Sequence, residues 1–455
     1  MSSGSASDDV GAGASLPATV LRFCIATTFY PPYNFGGDGI YAHRLANGLA
    51  RLGHQVTVVH SPTAYEMLAG GPPVQTYNDH PNVTLRPVRT SLGKLGLLAV
   101  QQTGRPVFQT AALRRWIEHG SYDVIHYNNV SLLGGPQVFR YGHALKLCTL
   151  IEHWLVCPMH VLWKMDREVC RTPSCLRCQL AGGRPPQLWR YGELMRRATQ
   201  HIDTFVGPSL FTIRMHQERG LRGMMVQLPL FHPEPTEPPA TPPANGGRPY
   251  FLFSGRLEKI KGVQIIIPVF RTCPDIDLLI AGDGTFENEL RTLAAGAANI
   301  KFVGRVDQGN LQRLYRDAIA TVVPSLSYET FGLIIVESYS ASTPVLVYAQ
   351  SSLAELVSTH GGGLMYHSLD ELRAAIERLR SDPPLRARLG REGRAAYEAE
   401  FAEAIWLRHY LDVVRALLDA KRAGISLDAA CTPGTPPMLA GRRVFRATEP
   451  CGSVA

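Results

Sequence analysis

The first apolar runs of the chain follow a strand, glycine loop, helix, strand order that few folds admit. Leu21 to Thr27, LRFCIAT, reads as a buried parallel strand. FYPPYNFGGDG supplies the loop, and Ile40 to Leu52 places Tyr41, Leu45, Leu49 and Leu52 on one helical face. Gly53-His54 stops that helix, and Gln55 to His60 holds the second strand. A strand joined to a parallel neighbour through a helix is a βαβ opening, which predicts a doubly wound α/β domain. Its loop is not G-x-G-x-x-G, so a dinucleotide fingerprint is not met.

Further strands are expected at Tyr122–His126, Leu147–Ile151 and Asp203–Pro208. Phe231 to Pro249 then holds six prolines between 233 and 243 without apolar periodicity, which marks a linker and a domain boundary. Beyond it Tyr250–Gly255, Asp277–Gly284, Ile300–Arg305 and Thr343–Val347 read as strands of a second α/β domain. Residues 1–19 and the tail from Ala423 are small-residue, Pro and Gly rich, and are expected to be disordered.

Within the second domain Val323 to Ser338, VPSLSYETFGLIIVES, reads as a strand end, a Pro-Ser turn, a loop and a helix. A helix beginning near Gly332 turns free N–H groups outward from its first turn, which is an anion site by geometry. Glu329 precedes it and Glu337 lies about two turns in, so two carboxylates can flank one ligand whose phosphates meet the amides between them. That is the pattern of a sugar-nucleotide site. Upstream, Arg256 and Lys261 stand five residues apart on GRLEKIKG and offer fixed cations to a leaving diphosphate. His153 follows a strand of the first domain and is a candidate for polar contact in the cleft; His126 ends another strand, where it either faces the cleft or, as the preferred reading, is a structural histidine satisfied by loop backbone.

A net charge of +8 and a pI near 9.0 suit anionic partners such as sugar nucleotides or lipid phosphates. Nothing resembles a nucleic-acid motif, so nucleic acid is not expected. No run of about 18 apolar residues exists to span a membrane, and the first residues do not form a signal peptide. Nine cysteines are therefore expected to be reduced or metal-bound. Four of them, Cys157, Cys170, Cys175 and Cys178, are separated by twelve, four and two residues. This spacing suits a structural zinc site, with an iron–sulfur cluster or redox thiols as alternatives. Residues 184–201 combine Leu188, Trp189, Tyr191, Leu194 and Met195 with four arginines. They read as an ordinary packed helix, with a membrane-surface helix as the competing reading.

On Glu329, Glu337, Arg256 and Lys261 the chain resembles the retaining GT-B glycosyltransferases of family 4, whose signature is E-x7-E. The resemblance covers about residues 20 to 420. It implies two Rossmann-like domains facing a central cleft: an N-terminal acceptor-side domain over 20–229 with a Cys-rich insertion at 157–178, a linker at 230–249, and a nucleotide-sugar domain over 250–395. A C-terminal helix at 396–422 would return to the first domain. It further implies that Glu329 contacts the donor sugar, that Phe331, Gly332 and Leu333 offer backbone to sugar and diphosphate, and that Glu337 binds the ribose. Arg256 and Lys261 would hold the diphosphate, and Gly36-Gly37 would approach the donor phosphates. A His-Asp pair common in the family is absent: Glu152 and Ile151 take its place if Trp154–Pro158 sets the register, or His153 does if the loop has slipped. The implied reaction moves a hexosyl group from a UDP-, GDP- or ADP-sugar to a glycan, lipid-linked or small-molecule hydroxyl, without a catalytic metal. The expected location is cytoplasmic, with peripheral contact at the inner membrane face as an option. The alternatives are a sugar-nucleotide epimerase of the same fold and a non-catalytic, metal-stapled binding protein.

Overall fold

The computed structural model describes residues 19–73, 76–90, 92–235, 247–426 and 437–446. The expected leader and most of the proline linker lie outside the described residues. Two sheets organise the rest. The first runs β16-β17-β9-β8-β5-β4-β1-β2-β3 and the second β12-β11-β10-β13-β14-β15. In the first, β1 (Arg22–Ala26), β2 (Gln55–His60), β3 (Val83–Pro87), β4 (Val124–Tyr127), β5 (Leu145–Thr149), β8 (Thr204–Gly207) and β9 (Met224–Gln227) pair in parallel. In the second, β10 (Tyr250–Ser254), β11 (Asp277–Ala281), β12 (Ile300–Gly304), β13 (Ala320–Val323), β14 (Val345–Tyr348) and β15 (Gly363–Tyr366) are all parallel. Both wind outward in two directions from their first strand, the doubly wound order. β6 (Trp163–Lys164) and β7 (Glu168–Val169) form a separate hairpin within the Cys-rich insertion.

The central strands are largely apolar because helices cover both faces of each sheet. Phe23, Cys24, Ile25 and Ala26 of β1, and Leu278, Leu279 and Ile280 of β11, are fully buried. The helix Glu403–Arg422 lies against β5 and against the first helix, Gly37–Arg51. Its Trp406, Tyr410 and Leu417 join a core that also contains Phe331, Ile335 and Tyr339 of the second domain.

Three expectations need correction. The tail is not wholly irregular: β16 (Met438–Leu439) and β17 (Arg442–Arg446) extend the first sheet, with Val444 opposite Val226. Alternating Val444 and Leu439 against a buried face outweighs a composition that suggested disorder. Residues 184–201 form no single helix. A 3₁₀ turn at Leu188–Tyr191 ends at extended Gly192, and a six-residue helix follows at Leu194–Thr199. The C-terminal helix expected over 396–422 is interrupted at Ala402, whose ψ of 137° starts the Glu403–Arg422 helix afresh.

Candidate functional site

Ligands of doubly wound sheets bind outside the carboxyl ends of strands, where the strand order reverses. In the second sheet that point lies between β10 and β13. The loop leaving β10 carries Arg256 and Lys261, and the loop leaving β13 carries Ser325, Glu329 and Gly332. In the first sheet the reversal lies between β1 and β4, and the loop leaving β1 carries Gly36 and Gly37. A Cβ at Gly36 would stand 3.7 Å from Arg256 Nε, and one at Gly37 would stand 3.4 Å from Leu333 Cδ1. The glycine pair thus brings the first domain up to the loops of the second.

Lys261 is held by the glycine that follows it. Gly262 has φ +78°, and a Cβ there would stand 2.0 Å from the Pro324 carbonyl oxygen, so no other residue lets the two loops meet. In that arrangement Lys261 Nζ donates to Glu329 Oε1 at 2.7 Å, and the Ser325 hydroxyl donates to the same oxygen at 2.5 Å. Burial pushes the Glu329 carboxyl up, but Lys261, Ser325 and Arg256 outweigh it and hold it below the ordinary Glu value. Arg256 is half-exposed and pairs through Nη1 with Glu258 at 2.6 Å.

Gly332 starts the helix Leu333–Ser340 with φ +101°, and no side chain caps it. Apart from the Ile335 N–H, which donates to the Gly332 carbonyl at 2.9 Å, its first-turn N–H groups have no acceptor one turn back in the helix. The Phe331 side chain is buried against Phe401, which leaves its backbone as the part that can serve the cleft. Glu337 is the fifth residue of the helix, just past one turn rather than two. It accepts from the Tyr315 hydroxyl at 2.9 Å and lies 3.8 Å from Arg44 of the first domain. Burial raises its carboxyl above the ordinary Glu value, against Arg44 and Tyr315. His232 Nδ1 is 3.7 Å away, but burial takes that imidazole down to about 3, so it is a neutral neighbour.

His153 is 1% exposed, donates through Nε2 to the Tyr328 carbonyl at 3.2 Å, and stacks on His216 at 5.3 Å. Burial, then His216, keep it neutral, and its role in this geometry is to hold the residue before Glu329. His126 does not face the cleft. It is fully buried between the Tyr410 hydroxyl at 2.8 Å and Thr149 at 2.7 Å, because β4 is central to the sheet. Thr330 ties the same loop to the first domain: its hydroxyl donates to the Ile151 carbonyl at 2.9 Å, and its carbonyl accepts from Ser209 at 2.8 Å and Thr212 at 2.7 Å. The Glu355 carboxylate caps the helix Leu210–Glu218 across the interface, accepting from Leu210 and Phe211 N–H, each at 2.7 Å.

The structure adds residues that no motif singled out. Arg44, Tyr315 and Ser325 touch the two glutamates, and none lies near them in sequence apart from Ser325, whose i,i+4 spacing to Glu329 was the available signal. Asp38, in the first turn of Gly37–Arg51, is another. Burial, then the Glu152 charge, raise its carboxyl to about 7, against the Gly39 N–H and Arg256. Glu152 itself pairs with His160 at 3.0 Å.

Cys157, Cys170, Cys175 and Cys178 are all free thiols, and they line one small cavity of ≈ 10 Å³. Among the described residues no group of three or more His, Cys, Asp or Glu side chains is already set to hold a metal ion. The expected four-thiolate centre is therefore not preformed. Among the described residues no helix is long and apolar enough to cross a membrane.

Two Rossmann-like domains whose switch points face one another are the architecture of a GT-B glycosyltransferase. The family models agree: Glycosyl transferases group 1 matches residues 236–396 and Glycosyltransferase Family 4 matches residues 35–226. The chain belongs to the group 1, family 4 glycosyltransferases. It is 27% identical over 424 residues to a D-inositol 3-phosphate glycosyltransferase of Arthrobacter sp., covering 85% of this chain and 92% of that one. Sucrose-phosphate synthase from Thermosynechococcus elongatus superposes with a TM-score of 0.68 at 21% identity, over 88% of this chain and 100% of that one. Anabaena Alr3699/HepE in complex with UDP-glucose gives 0.60 at 16% identity, over 87% and 100%.

Proposed function

We propose that the protein is a retaining hexosyltransferase that moves a sugar from a nucleoside-diphosphate sugar to a hydroxyl acceptor. The observation that carries this reading is the pairing of Lys261 with Glu329 beside Arg256 and the uncapped start of the Leu333–Ser340 helix. Negative charge grows on the diphosphate as the glycosidic bond breaks, and two cations with a helix N-terminus are placed to receive it. Glu329, kept ionised by Lys261, orients the sugar as a hydrogen-bond acceptor and does not act as a nucleophile. The acceptor hydroxyl attacks from the face of the leaving group, and a departing phosphate oxygen takes its proton. Glu337 receives the ribose hydroxyls once Tyr315 and Arg44 have oriented it. The Anabaena complex with UDP-glucose supports a donor of this class. We place the reaction in the cytoplasm. Exposed Leu188 and Tyr191, near Arg184, Arg196 and Arg197 in sequence, are a surface on which a lipid-linked acceptor could be met.

The test incubates the protein with UDP-, GDP- and ADP-sugars and follows nucleoside diphosphate release with and without hydroxyl acceptors, with the product anomer read by NMR. Release from one donor with the anomeric configuration kept is the expected result. Absence of both release and thermal stabilisation by every nucleoside diphosphate would overturn the reading, and an inverted product would remove its retaining part.

Acidification supplies a separate check. Burial raises the Glu337 pKa above the ordinary Glu value. Its carboxylate is therefore lost, as pH falls, earlier than that of an ordinary Glu, and with it one ribose acceptor. The donor KM is expected to climb on acidification at a higher pH than an ordinary Glu would produce, and Glu337→Gln to raise KM at neutral pH while flattening that climb. A KM profile identical in both proteins would count against ribose binding at Glu337.

A further inference from the structure

The insertion between β5 and β8 has little to hold it in shape. In its Cys-rich part, residues 157–181, the regular structure is a hairpin of two two-residue strands and one seven-residue helix, Cys175–Ala181. A hairpin that short is marginal in water without a further staple. Its backbone is also costly: His160, Leu162, Met165 and Asp166 have φ of 70°, 49°, 50° and 55°. Non-glycine residues adopt that left-handed region only against steric strain. No disulfide offsets this, since Cys157, Cys170, Cys175 and Cys178 are all free.

Yet these four thiols, spread over 22 positions of the sequence, surround a single cavity together with Pro158, Met159 and Trp163. Two polar groups stand beside the sulfurs. The Met165 N–H points at Cys178 Sγ at 3.3 Å. The Arg190 guanidinium, bonded to the Leu155 carbonyl at 3.3 Å, is close enough to Cys157 and Cys175 for their charges to act on it. The cavity, ≈ 10 Å³, is about the size of one water-sized sphere, which suits a single ion and not a multi-iron cluster. At the hairpin tip, Asp166 accepts from Lys259 through its carbonyl at 2.9 Å and its carboxylate at 3.2 Å. Lys259 lies on the same turn as Lys261, so the insertion reaches the donor loop itself.

We infer that Cys157, Cys170, Cys175 and Cys178 are the ligands of one soft divalent cation of the zinc class, which staples the insertion and sets its hairpin against the Lys259–Lys261 turn. On binding, four S–H protons leave to solvent and four metal–sulfur bonds form, with no change of oxidation state. The resulting centre carries two negative charges and faces Arg190. The thiols do not stand at ligand spacing beforehand, and the cation draws them in, as it does wherever binding and folding are one equilibrium.

The test needs no transferase assay, so its outcome is independent of the donor-site reading. Full-length protein purified without chelator is analysed by inductively coupled plasma mass spectrometry; about one zinc per chain is expected for a closed four-thiolate site. Protein stripped with chelator is then titrated with Co²⁺ alone. Intense thiolate-to-cobalt charge transfer and tetrahedral ligand-field bands are expected, together with slower amide exchange over residues 163–170. A Cys175→Ser, Cys178→Ser double variant should lose the zinc and the charge-transfer band. Should that variant fail to fold, the wild-type titration alone decides. Metal-free protein as purified with no charge transfer on Co²⁺ addition overturns the inference. So does a disulfide among the four by mass spectrometry, or the broad visible absorption of an iron–sulfur cluster.

Discussion

Lys261→Ala is expected to lower kcat for sugar transfer by about 10²–10³-fold, the usual cost of removing one fixed group that stabilises transition-state charge. Two losses combine in that substitution. The cation that would meet the departing diphosphate is gone, and Glu329 is left in a buried position with only Ser325 bonded to it. Burial then acts on the Glu329 carboxyl with its largest opposing partner removed, so its pKa rises and the group that orients the sugar tends towards its neutral form. The fold should survive, because the ion pair is partly solvated and the loop is still set by Gly262 and by the Leu326 N–H bond to the Ile260 carbonyl at 2.8 Å. Steady-state rates at saturating donor, with circular dichroism on the same sample, check this. A kcat within about threefold of the parent, less than about 0.7 kcal/mol of barrier, would take Lys261 out of the reaction.

The largest stability effect is expected at Trp406. Replacing it with Ala should cost about 3–5 kcal/mol, the range for deleting a fully buried large aromatic. The indole is fully buried, stacks on Phe231 at 4.5 Å and on Tyr410 at 5.2 Å, and meets Tyr41 edge-on at 6.0 Å. Its N–H donates to the Pro229 carbonyl, which would be left without that donor. These partners come from the first helix, the chain leaving the first sheet and the final helix, so one side chain joins segments far apart in sequence. Collapse of the site would require all three to move, which is why the cost should lie high in its range. Urea unfolding followed by circular dichroism measures it; a loss below about 1 kcal/mol would mean that the three segments close over the gap.

Much of the donor half was legible because its chemistry is local. Arg256 and Lys261 share one turn after β10, and Glu329, Gly332 and Glu337 share one loop and helix after β13. Their relative positions follow from a few backbone angles, above all the positive φ at Gly262 and Gly332. The acceptor half was less legible. His126 and His153 both follow apolar runs that read alike, yet His126 is locked in the sheet between Tyr410 and Thr149, whereas His153 reaches the Tyr328 carbonyl of the facing domain. Nothing within a few residues of either histidine separates those outcomes. The tail failed for a related reason: Val444 becomes a strand residue only because β9 presents an open edge.

The sequence by itself determined the two doubly wound domains, the loops that carry the charged groups of the donor site, and the clustering of four cysteines in one insertion. Each is set by periodicity, glycine placement or spacing over a few tens of residues, the range over which covalent connection alone restricts geometry. Only the tertiary structure decided that Arg44 and Tyr315 meet Glu337, that Glu355 caps a helix of the other domain, and that Asp166 reaches Lys259. Those pairs are brought together by burial of a shared core across the two sheets. Hydrophobic burial is non-directional, so it drives the domains together without specifying from any local pattern which polar groups will then face one another.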